Sequence, residues 1–386
     1  MGNAGKRALA RGLSIASVGL LSLSTFLSAQ QVQHYKQTNL VADTPGIAAV
    51  TDPKLVNPWG MSRSSGSPWW ISDNGMGLAT VYGATGTPAA LVVTVPPGDT
   101  STGASGTPTG QISNGTTNFA LAPGFPAKFI FVTEDGTISG WNSGVKPTTA
   151  VIMVNTKSAS VFKGVAVATV TDPTLGALDF LYVADFRKGR VRVYDSNFQQ
   201  VRMGDRDHDG DRDRDDDDAF RDERIPRGFA PFNIQNIGGN LYVAYAMQDS
   251  AKHDEVDGAG LGYVDVFSPT GRLLHRLQSG PWFNAPWGVA QAPTDFGAYS
   301  HDILVGQFGS GEILVFDPVT GHFKGRLLDS VTNLPIKIDG LWGIAFGSGT
   351  GSGAANALYF TAGSDGEQHG LFGTITAVEN VLGGDL

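Results

Sequence analysis

Cysteine is absent from the 386 residues of the chain. Disulfides, zinc–thiolate sites, iron–sulfur clusters and cysteine nucleophiles are therefore excluded. Charged residues make up only 16% of the sequence, which suits turns and short strands better than amphipathic helices. Nucleophile elbows, zinc-protease helices and Walker loops are also missing, so the familiar signatures of hydrolases and nucleotide-binding enzymes do not apply.

Long apolar runs are missing beyond the N-terminus. There, Lys6, Arg7 and Arg11 precede an apolar, Ser-rich segment that ends in Leu27-Ser28-Ala29. This layout predicts a signal peptide over residues 1–29, because the segment is short and Ser-interrupted for a membrane anchor. We expect the mature chain to be secreted, either extracellular or periplasmic, with no integral membrane segment after cleavage.

Positive charge is scarce, and the formal net charge is −9. This balance argues against binding of nucleic acids or anionic lipid surfaces through bulk electrostatics. The partners that it leaves open are a small molecule, a glycan or an extracellular protein. We expect the chain to be a monomer.

Glycine, by contrast, is abundant, with 52 residues, and a few of the glycines belong to a repeated phrase. Each copy is a polar or turn residue, an aromatic or basic residue, usually a Gly, and a short apolar run. The copies begin at Asn57, Phe162, Phe229, Asn284 and Asp339. Short segments of strand character, separated by turn residues, follow each copy.

The glycines of these copies set the period. Gly288 and Gly343 are 55 residues apart, and Gly60 and Gly164 are 104 apart, or two units of 52. Six units of four strands predict an all-β, six-bladed β-propeller over residues 30–386 as a single domain, rather than a solenoid. A strand at about residues 33–41 would join the last blade and close the ring.

Two stretches depart from this rhythm. Pro96–Gly115 is rich in Gly, Ser, Thr and Pro and is predicted to be an exposed loop. Residues 204–223 form an Asp/Arg-rich insertion between the third and fourth units. The fold should not need this insertion, because it lies between blades.

Three phrases, among others, carry a resemblance to known proteins. They are Leu55-Val56-Asn57-Pro58-Trp59-Gly60, Trp70-Ile71-Ser72-Asp73-Asn74 and Ile338-Asp339-Gly340-Leu341-Trp342. They resemble a family of secreted bacterial proteins of unknown function, and the resemblance extends over nearly all of the mature chain. It implies a propeller-like fold and export, but no catalytic residue. More loosely, the repeats are similar to NHL-type and gluconolactonase-type six-bladed propellers, a likeness of architecture that does not confer function.

A propeller brings loops from every blade to one mouth of its central channel. The first strand of each blade begins at that mouth, and the connection between its second and third strands returns there. We expect a polar, Trp-rimmed mouth formed by Asn57, Trp59, Asp73, Asn74, Glu134, Lys163, Asp185, Asn233, His253, Asp254, Asn284, Trp287, Gln307, Asp339 and Trp342. Asp365, Glu367 and His369 extend this set.

These residue types allow more than one role. Trp faces suit sugar rings or apolar ligands, but a Trp before Gly in each inner strand also suits packing between blades. Asp, Glu and Asn oxygens suit Ca²⁺, which would act as the Lewis acid of a lactonase-like hydrolase; the same residues can instead cap turns. Beside Asp254, His253 would be a general base, a ligand or part of a solvated turn.

The Asp/Arg-rich insertion has two interpretations. Its acids match the spacing of a calcium loop, with Asp205, Asp207, Asp209, Asp213 and Asp216 at ligand positions. However, Arg212 stands where such loops carry an apolar residue, and the last ligand is Asp rather than Glu. We favour a disordered, solvated loop.

The leading hypothesis is a secreted binding or scaffold protein with an unidentified ligand at the channel mouth. The enzymatic alternative is a metal-assisted hydrolase or lyase with Ca²⁺ as cofactor, and the third is a structural surface or matrix protein. Three or four carboxylate and Asn oxygens with a common focus would favour the metal site.

Overall fold

A computed structural model of the chain describes residues 1–2, 32–203 and 219–379. The chain divides into two units, Met1–Val32 and Gln33–Leu386, and every strand of the described residues lies in the second unit. Almost all of the predicted signal peptide, residues 1–29, falls outside the described residues.

The strands form where short runs of β-branched and aromatic residues are bounded by turn residues. Trp69–Asp73, Phe129–Thr133 and Leu358–Ala362, each the second strand of its blade, are buried along their whole length. They lack apolar–polar alternation because both faces of a blade pack against neighbouring blades.

Six small antiparallel sheets form the six blades of a β-propeller, so the predicted fold class is confirmed. From the channel outward, blade 1 contains Pro58–Ser62, Trp69–Asp73, Leu78–Tyr82 and Val93–Thr94. Blade 2 contains Pro108–Ser113, Phe129–Thr133, Thr137–Trp141 and Val151–Asn155. Blade 3 contains Phe162–Asp172, Gly176–Asp185, Arg190–Tyr194 and Gln200–Val201.

Blades 4 to 6 follow the same order. Blade 4 contains Phe229–Ile237, Asn240–Gln248, Tyr263–Phe267 and Leu273–Arg276, with Glu255–Val256 paired to its second strand. Blade 5 contains Pro286–Gln291, Ile303–Gln307, Ile313–Phe316 and Phe323–Arg326. Blade 6 contains Leu341–Phe346, Leu358–Ala362, Leu371–Ala377 and His34–Ala42.

Short elements complete the architecture. The remaining strands are Val50–Thr51, Leu328–Asp329, Ala120–Ala122 and Phe125–Pro126. The helical turns are Asn74–Met76, Gly297–Tyr299 and Ser364–Glu367. Within the described ranges, no helix has the length and apolar character needed to cross a membrane.

The ring closes through the N-terminal strand, as predicted. His34–Ala42 pairs antiparallel with Leu371–Ala377, so blade 6 combines strands from both ends of the propeller. Tyr35 of this strand is fully buried, and its hydroxyl donates a hydrogen bond to the Phe296 carbonyl oxygen at 3.0 Å. The closing strand is therefore anchored to blade 5 as well as to blade 6.

The prediction of an exposed loop over Pro96–Gly115 is wrong for its last third, because Pro108–Ser113 is the inner strand of blade 2. Thr109 donates its hydroxyl to the Phe162 carbonyl of blade 3 at 2.7 Å. Gln111 donates its amide to the Gly60 carbonyl of blade 1 at 3.0 Å. Small and polar residues fit here because an inner strand packs against the backbones of its neighbours.

The repeated phrase marks a β-bulge. In blade 1, Pro58 pairs with Asp73 and Met61 with Ile71, so Trp59 and Gly60 together face one residue of the second strand. The register shifts at the corresponding point of the other five blades. A bulge redirects the adjacent side chain, and here it provides one residue per blade for the channel.

Candidate functional site

One residue of each inner strand holds the same position, just before the residue that is Gly in five blades and Asn233 in blade 4. These six residues are Trp59, Thr109, Lys163, Phe232, Trp287 and Trp342. Trp59 stacks on Trp342 with ring centroids 3.5 Å apart, and Trp287 meets both rings edge-on at 6.2 and 5.9 Å. Phe232 meets the same two rings edge-on at 6.4 and 5.8 Å. We call these four rings the aromatic layer.

The aromatic layer closes the channel. Its three Trp side chains are at most 4% exposed, so they pack between blades and do not present their faces to solvent as the predicted rim would. Below it, four glycines and Asn233 are among the residues that line a cavity of about 20 Å³, which is room for about one water molecule. The Nε1 atoms of Trp59 and Trp287 are buried without a hydrogen-bond partner in the described structure.

In blade 3 the equivalent of Trp59 is Lys163, a cationic residue whose side chain is fully buried. Its ammonium group donates to Glu134 Oε1 at 2.6 Å and to Asp254 Oδ1 at 3.1 Å, and it lies 4.7 Å from the centre of the Trp59 ring. Burial by itself would lower the pKa of Lys163, but Glu134, Glu255 and Asp254 outweigh it and raise the pKa. The lysine therefore stays charged beside the aromatic layer.

Four carboxyl groups from three blades interact with this one ammonium group, Glu134 and Asp254 by direct contact and Glu255 and Glu367 at longer range. Glu134 lies in the turn after Phe129–Thr133, Asp254 and Glu255 follow Asn240–Gln248, and Glu367 lies in the turn after Leu358–Ala362. These are connections between second and third strands, which return to the channel mouth as expected. We call Lys163, Glu134, Asp254, Glu255 and Glu367 the acidic mouth.

The carboxyl groups of the acidic mouth differ in their proton affinity. Burial raises the pKa of Glu255 to about 8, because Lys163 opposes the effect of burial only in part, and Glu367 adds a smaller increase. Burial also raises the pKa of Glu367, against its hydrogen bond from Asn57. Partial burial would raise the pKa of Asp254, but Lys163 and His253 outweigh it and lower the pKa. The acidic mouth therefore holds both ionised and protonated carboxyl groups near neutral pH.

Two asparagines connect the acidic mouth to the aromatic layer. Asn57 accepts a hydrogen bond from Trp342 Nε1 at 3.2 Å and donates to Glu367 Oε1 at 3.2 Å. Asn74 donates to Glu134 Oε2 at 2.9 Å. Asn57 adopts a positive φ of 47°, a conformation that Asn tolerates better than most residues.

Three of the predicted residues could hold a metal ion together. Glu134, His253 and Asp254 each offer a ligand atom, and these atoms lie within 4.8 Å of one another. A set with an imidazole nitrogen suits transition metals better than Ca²⁺, which prefers oxygen ligands alone. The expected focus of Asn oxygens does not form here, because Asn57 Oδ1 accepts from Trp342 and Asn74 Oδ1 accepts from Asn57.

The other predicted residues make structural contacts. Asp185 pairs with Arg192 at 2.6 Å, and Asp73 accepts from Thr80 at 2.8 Å. Asn233 donates to the Trp287 carbonyl oxygen at 2.9 Å. The backbone N–H of Asn284 donates a hydrogen bond to Gln307 Oε1. The backbone N–H of Asp365 donates to Asp339 Oδ2 at 2.8 Å.

The predicted calcium ligands Asp205, Asp207, Asp209, Asp213 and Asp216 lie outside the described residues. The described end of the insertion belongs to the packed structure. Phe220 is buried, and Asp222 accepts from Arg276 at 2.6 Å.

Glu255 is absent from the predicted site, although it follows directly after Asp254. The sequence repeat could have identified Glu255, because it lies between the second and third strands of its blade, as Glu134 and Glu367 do in theirs. Thr109 was missed for another reason: its phrase has no aromatic residue to mark it.

Comparison with known proteins gives relatives without an assigned role. No family profile matches the chain. Uncharacterized protein R648 of Acanthamoeba polyphaga mimivirus is 33% identical over 360 residues, which cover 92% of this chain and 83% of that protein. Uncharacterized protein L690 of the same virus is 30% identical over 360 residues, or 92% and 88% of the two chains.

Solved structures support the fold alone. The PQQ-bound aldose sugar dehydrogenase of Streptomyces coelicolor superposes with a TM-score of 0.51 at 11% identity, over 90% of this chain and 99% of that one. At this identity the likeness concerns architecture and not activity. The resemblance in the sequence pointed to a bacterial family, whereas the two sequence relatives are viral; this chain belongs to the family of mimivirus proteins R648 and L690.

Proposed function

We propose that this chain is an exported binding protein whose acidic mouth binds a small cation, either a divalent metal ion or an organic ammonium group. One observation carries the proposal: Glu134 and Asp254 contact a single buried ammonium group and Glu255 and Glu367 lie near it, so carboxyl groups outnumber cationic groups at this end of the channel. Among these four carboxyl groups, Lys163 contacts only Glu134 and Asp254, which leaves the other two available to a ligand.

The buried lysine does not itself offer a binding group. Its ammonium group is held by Glu134 and Asp254 and covered by the Trp59 ring. The side chain of Asp254, in contrast, is 60% exposed. A cation that approached Asp254, Glu255 and Glu367 would favour their ionised forms and displace the protons that their surroundings now retain.

Calorimetric titration tests this proposal. Calcium chloride, manganese chloride and putrescine are the three probes, so that the metal and ammonium forms of the proposal are distinguished. Asp254→Asn and Glu367→Gln should each weaken the binding of the effective probe by about tenfold or more, because each removes one carboxylate from a partly buried site. Asp295→Asn, an exposed carboxylate outside the mouth, is the matched control.

The proposal predicts that proton release accompanies binding, which calorimetry in buffers of different ionisation enthalpy measures. Failure of all three probes to bind at millimolar concentration would overturn it. Equal weakening by the control variant would overturn it as well.

A metal-assisted, lactonase-like hydrolase or lyase is the second candidate. The observation that favours it is the buried carboxyl group of Glu255, whose pKa burial raises to about 8, next to the Glu134–His253–Asp254 group. Manganese-dependent opening of δ-gluconolactone, followed by acid release, would support this candidate. Loss of that activity in Glu255→Gln, with unchanged manganese affinity, would assign the acid to Glu255.

Export from a bacterial cell is part of the proposal and rests on the N-terminal sequence. Mass spectrometry of the protein from the periplasm or the medium should give a mature chain that begins at Gln30. An intact N-terminus on cytosolic protein would contradict export. We further propose that the mature protein is a monomer that leaves nucleic acids unbound, in keeping with its net charge of −9.

A further inference from the structure

The end of the channel opposite the acidic mouth opens into a second cavity. It has a volume of about 590 Å³ and is lined by the residues that follow the bulge in all six inner strands. We call it the funnel. Its volume is within the usual range for small-molecule sites, about 300–1,000 Å³.

The funnel is separate from the acidic mouth. The aromatic layer and the small cavity of about 20 Å³ beneath it lie between the two ends. A ligand in the funnel would therefore not contact Lys163 or its carboxyl groups, and the two sites can be tested independently.

Twelve of the nineteen residues that line the funnel are apolar, although polar atoms provide more of its exposed surface. Met61, Ile112, Val167, Ile237, Val289 and Phe346 contribute one such residue from each blade. The polar lining consists of amides and hydroxyls, and Arg63 is its one charged residue. The apolar walls suit a hydrocarbon body, and the arginine supplies a single positive charge.

Arg63 lacks a carboxylate partner among the described residues. Its guanidinium group donates to the carbonyl oxygens of Phe346 at 2.9 Å and Gly347 at 3.0 Å, and it lies 5.6 Å from the Trp69 ring centre. Two of its five N–H groups are used in these bonds, which leaves three for a ligand. Burial also lowers its pKa, as expected for a cation without a counterion.

Two further polar atoms of the lining are unsatisfied. Ser62 Oγ and Gln111 Oε1 are buried without a hydrogen-bond partner in the described structure. Gln111 as a whole is only 6% exposed. Unsatisfied buried groups are costly, so a polar ligand group or a water molecule that reached these two atoms from the funnel would stabilise them.

We propose that the funnel binds a small amphipathic carboxylate, whose carboxyl group pairs with Arg63 and whose apolar chain contacts the six inner strands. The pairing of guanidinium with carboxylate is favoured by geometry as well as by charge. This site is independent of the proposed function at the acidic mouth.

Octanoate is the test ligand, with octan-1-ol and octylamine as neutral and cationic probes of the same chain length. Calorimetry should give binding in the order octanoate, octan-1-ol, octylamine. Arg63→Met should weaken octanoate binding by about tenfold to a hundredfold and leave octan-1-ol binding nearly unchanged, because only the charged hydrogen bonds are lost. Arg272→Met, an exposed arginine of blade 4, is the matched control and should bind octanoate like the natural protein.

A second variant protects the test against loss of folding. Ser113→Phe fills the funnel from a partly exposed position in blade 2 and should weaken octanoate and octan-1-ol alike. Unfolding midpoints identify any variant that has lost its structure. Equal affinity for octanoate and octylamine, or unchanged octanoate affinity in both Arg63→Met and Ser113→Phe, would overturn the proposal. Asp254→Asn should leave octanoate binding unchanged, which separates this result from that of the acidic mouth.

Discussion

Lys163 holds the position that tryptophan holds in blades 1, 5 and 6. An ammonium group with no exposed surface is costly unless it is paired and hydrogen-bonded. Here Glu134 and Asp254 supply both the charge and the acceptors, and the Trp59 ring covers the remaining side. The same residue thus completes the aromatic layer and organises the acidic mouth above it.

Lys163→Met should destabilise the protein by about 3 kcal/mol or more, because removal of one partner leaves buried carboxylate charge uncompensated. Lys128→Met, at an exposed lysine of blade 2, is the matched control and should change the free energy of unfolding by less than about 0.5 kcal/mol. Urea unfolding at neutral pH measures both. Similar small losses in the two variants would show that the Lys163 pairs contribute little.

Glu255 should make stability depend on pH. Burial raises its pKa from 4.5 to about 8, so the folded protein retains a proton that the unfolded chain releases in this interval. The contribution of Glu255 to the free energy of unfolding is therefore largest below pH 4.5, and it is lost as the pH rises through about 8. Glu255→Gln should reduce this slope, as measured by urea unfolding across the interval.

Glu223→Gln, at an exposed carboxylate, is the control and should leave the slope unchanged. If the free energy of unfolding of Glu255→Gln depends on pH as it does in the natural protein, then the pKa of Glu255 is not raised. Another group would then cause the pH dependence of stability.

At the scale of one strand, the bulge explains why the phrase contains glycine. A Cβ atom at Gly110 would lie 2.8 Å from Gly164 Cα and 2.9 Å from Val165 N, both backbone atoms of the next blade. At Gly288 the corresponding contact is 2.6 Å to the Trp342 carbonyl oxygen. Inner strands approach one another so closely at this level that a side chain has no space.

Gly110→Ala should therefore destabilise the protein by about 2–3 kcal/mol through overpacking against backbone that cannot move aside. Gly115→Ala is the matched control, because its Cβ would meet nothing within 4 Å. Thermal unfolding of the two variants measures the difference. If both are equally tolerated, then the inner strands are free to move apart and the close approach is not essential.

At the scale of the whole molecule, ring closure is noncovalent and depends on one strand. His34–Ala42 covers the edge of Leu371–Ala377, and Tyr35 reaches the core of blade 5. Without this strand, blade 6 has three strands and an exposed edge, which is a template for association.

Deletion of residues 1–42 should therefore abolish cooperative unfolding and produce aggregates, whereas deletion of residues 1–29 should leave the propeller folded. Size-exclusion chromatography and thermal unfolding distinguish the two outcomes. A monomeric, cooperatively unfolding product of the longer deletion would contradict the role given to the closing strand.

The two ends of the channel also differ as a property of the whole molecule. One end gathers carboxyl groups from turns, and the other gathers apolar side chains and Arg63 from strand ends. Residues from all six blades line the funnel, and residues from blades 2, 3, 4 and 6 form the acidic mouth, so both sites require the closed ring.

The sequence by itself determined the number of blades, the four-strand unit and the closing strand. The turn residues and apolar runs that define a blade recur about every 50 residues. They are local signals that do not depend on distant contacts. The same reasoning failed for Pro108–Ser113, because an inner strand made of small and polar residues is indistinguishable from a loop until its neighbours are known.

Only the tertiary structure decided what the repeated phrase does. It showed a bulge, and it showed that Trp59, Trp287 and Trp342 pack against one another while Asn57 bonds to Trp342 and Glu367. It also brought Glu255 to Lys163 and left Arg63 alone in the funnel. The physical reason is that these groups lie on different blades, and their distances and burial arise only when the ring closes.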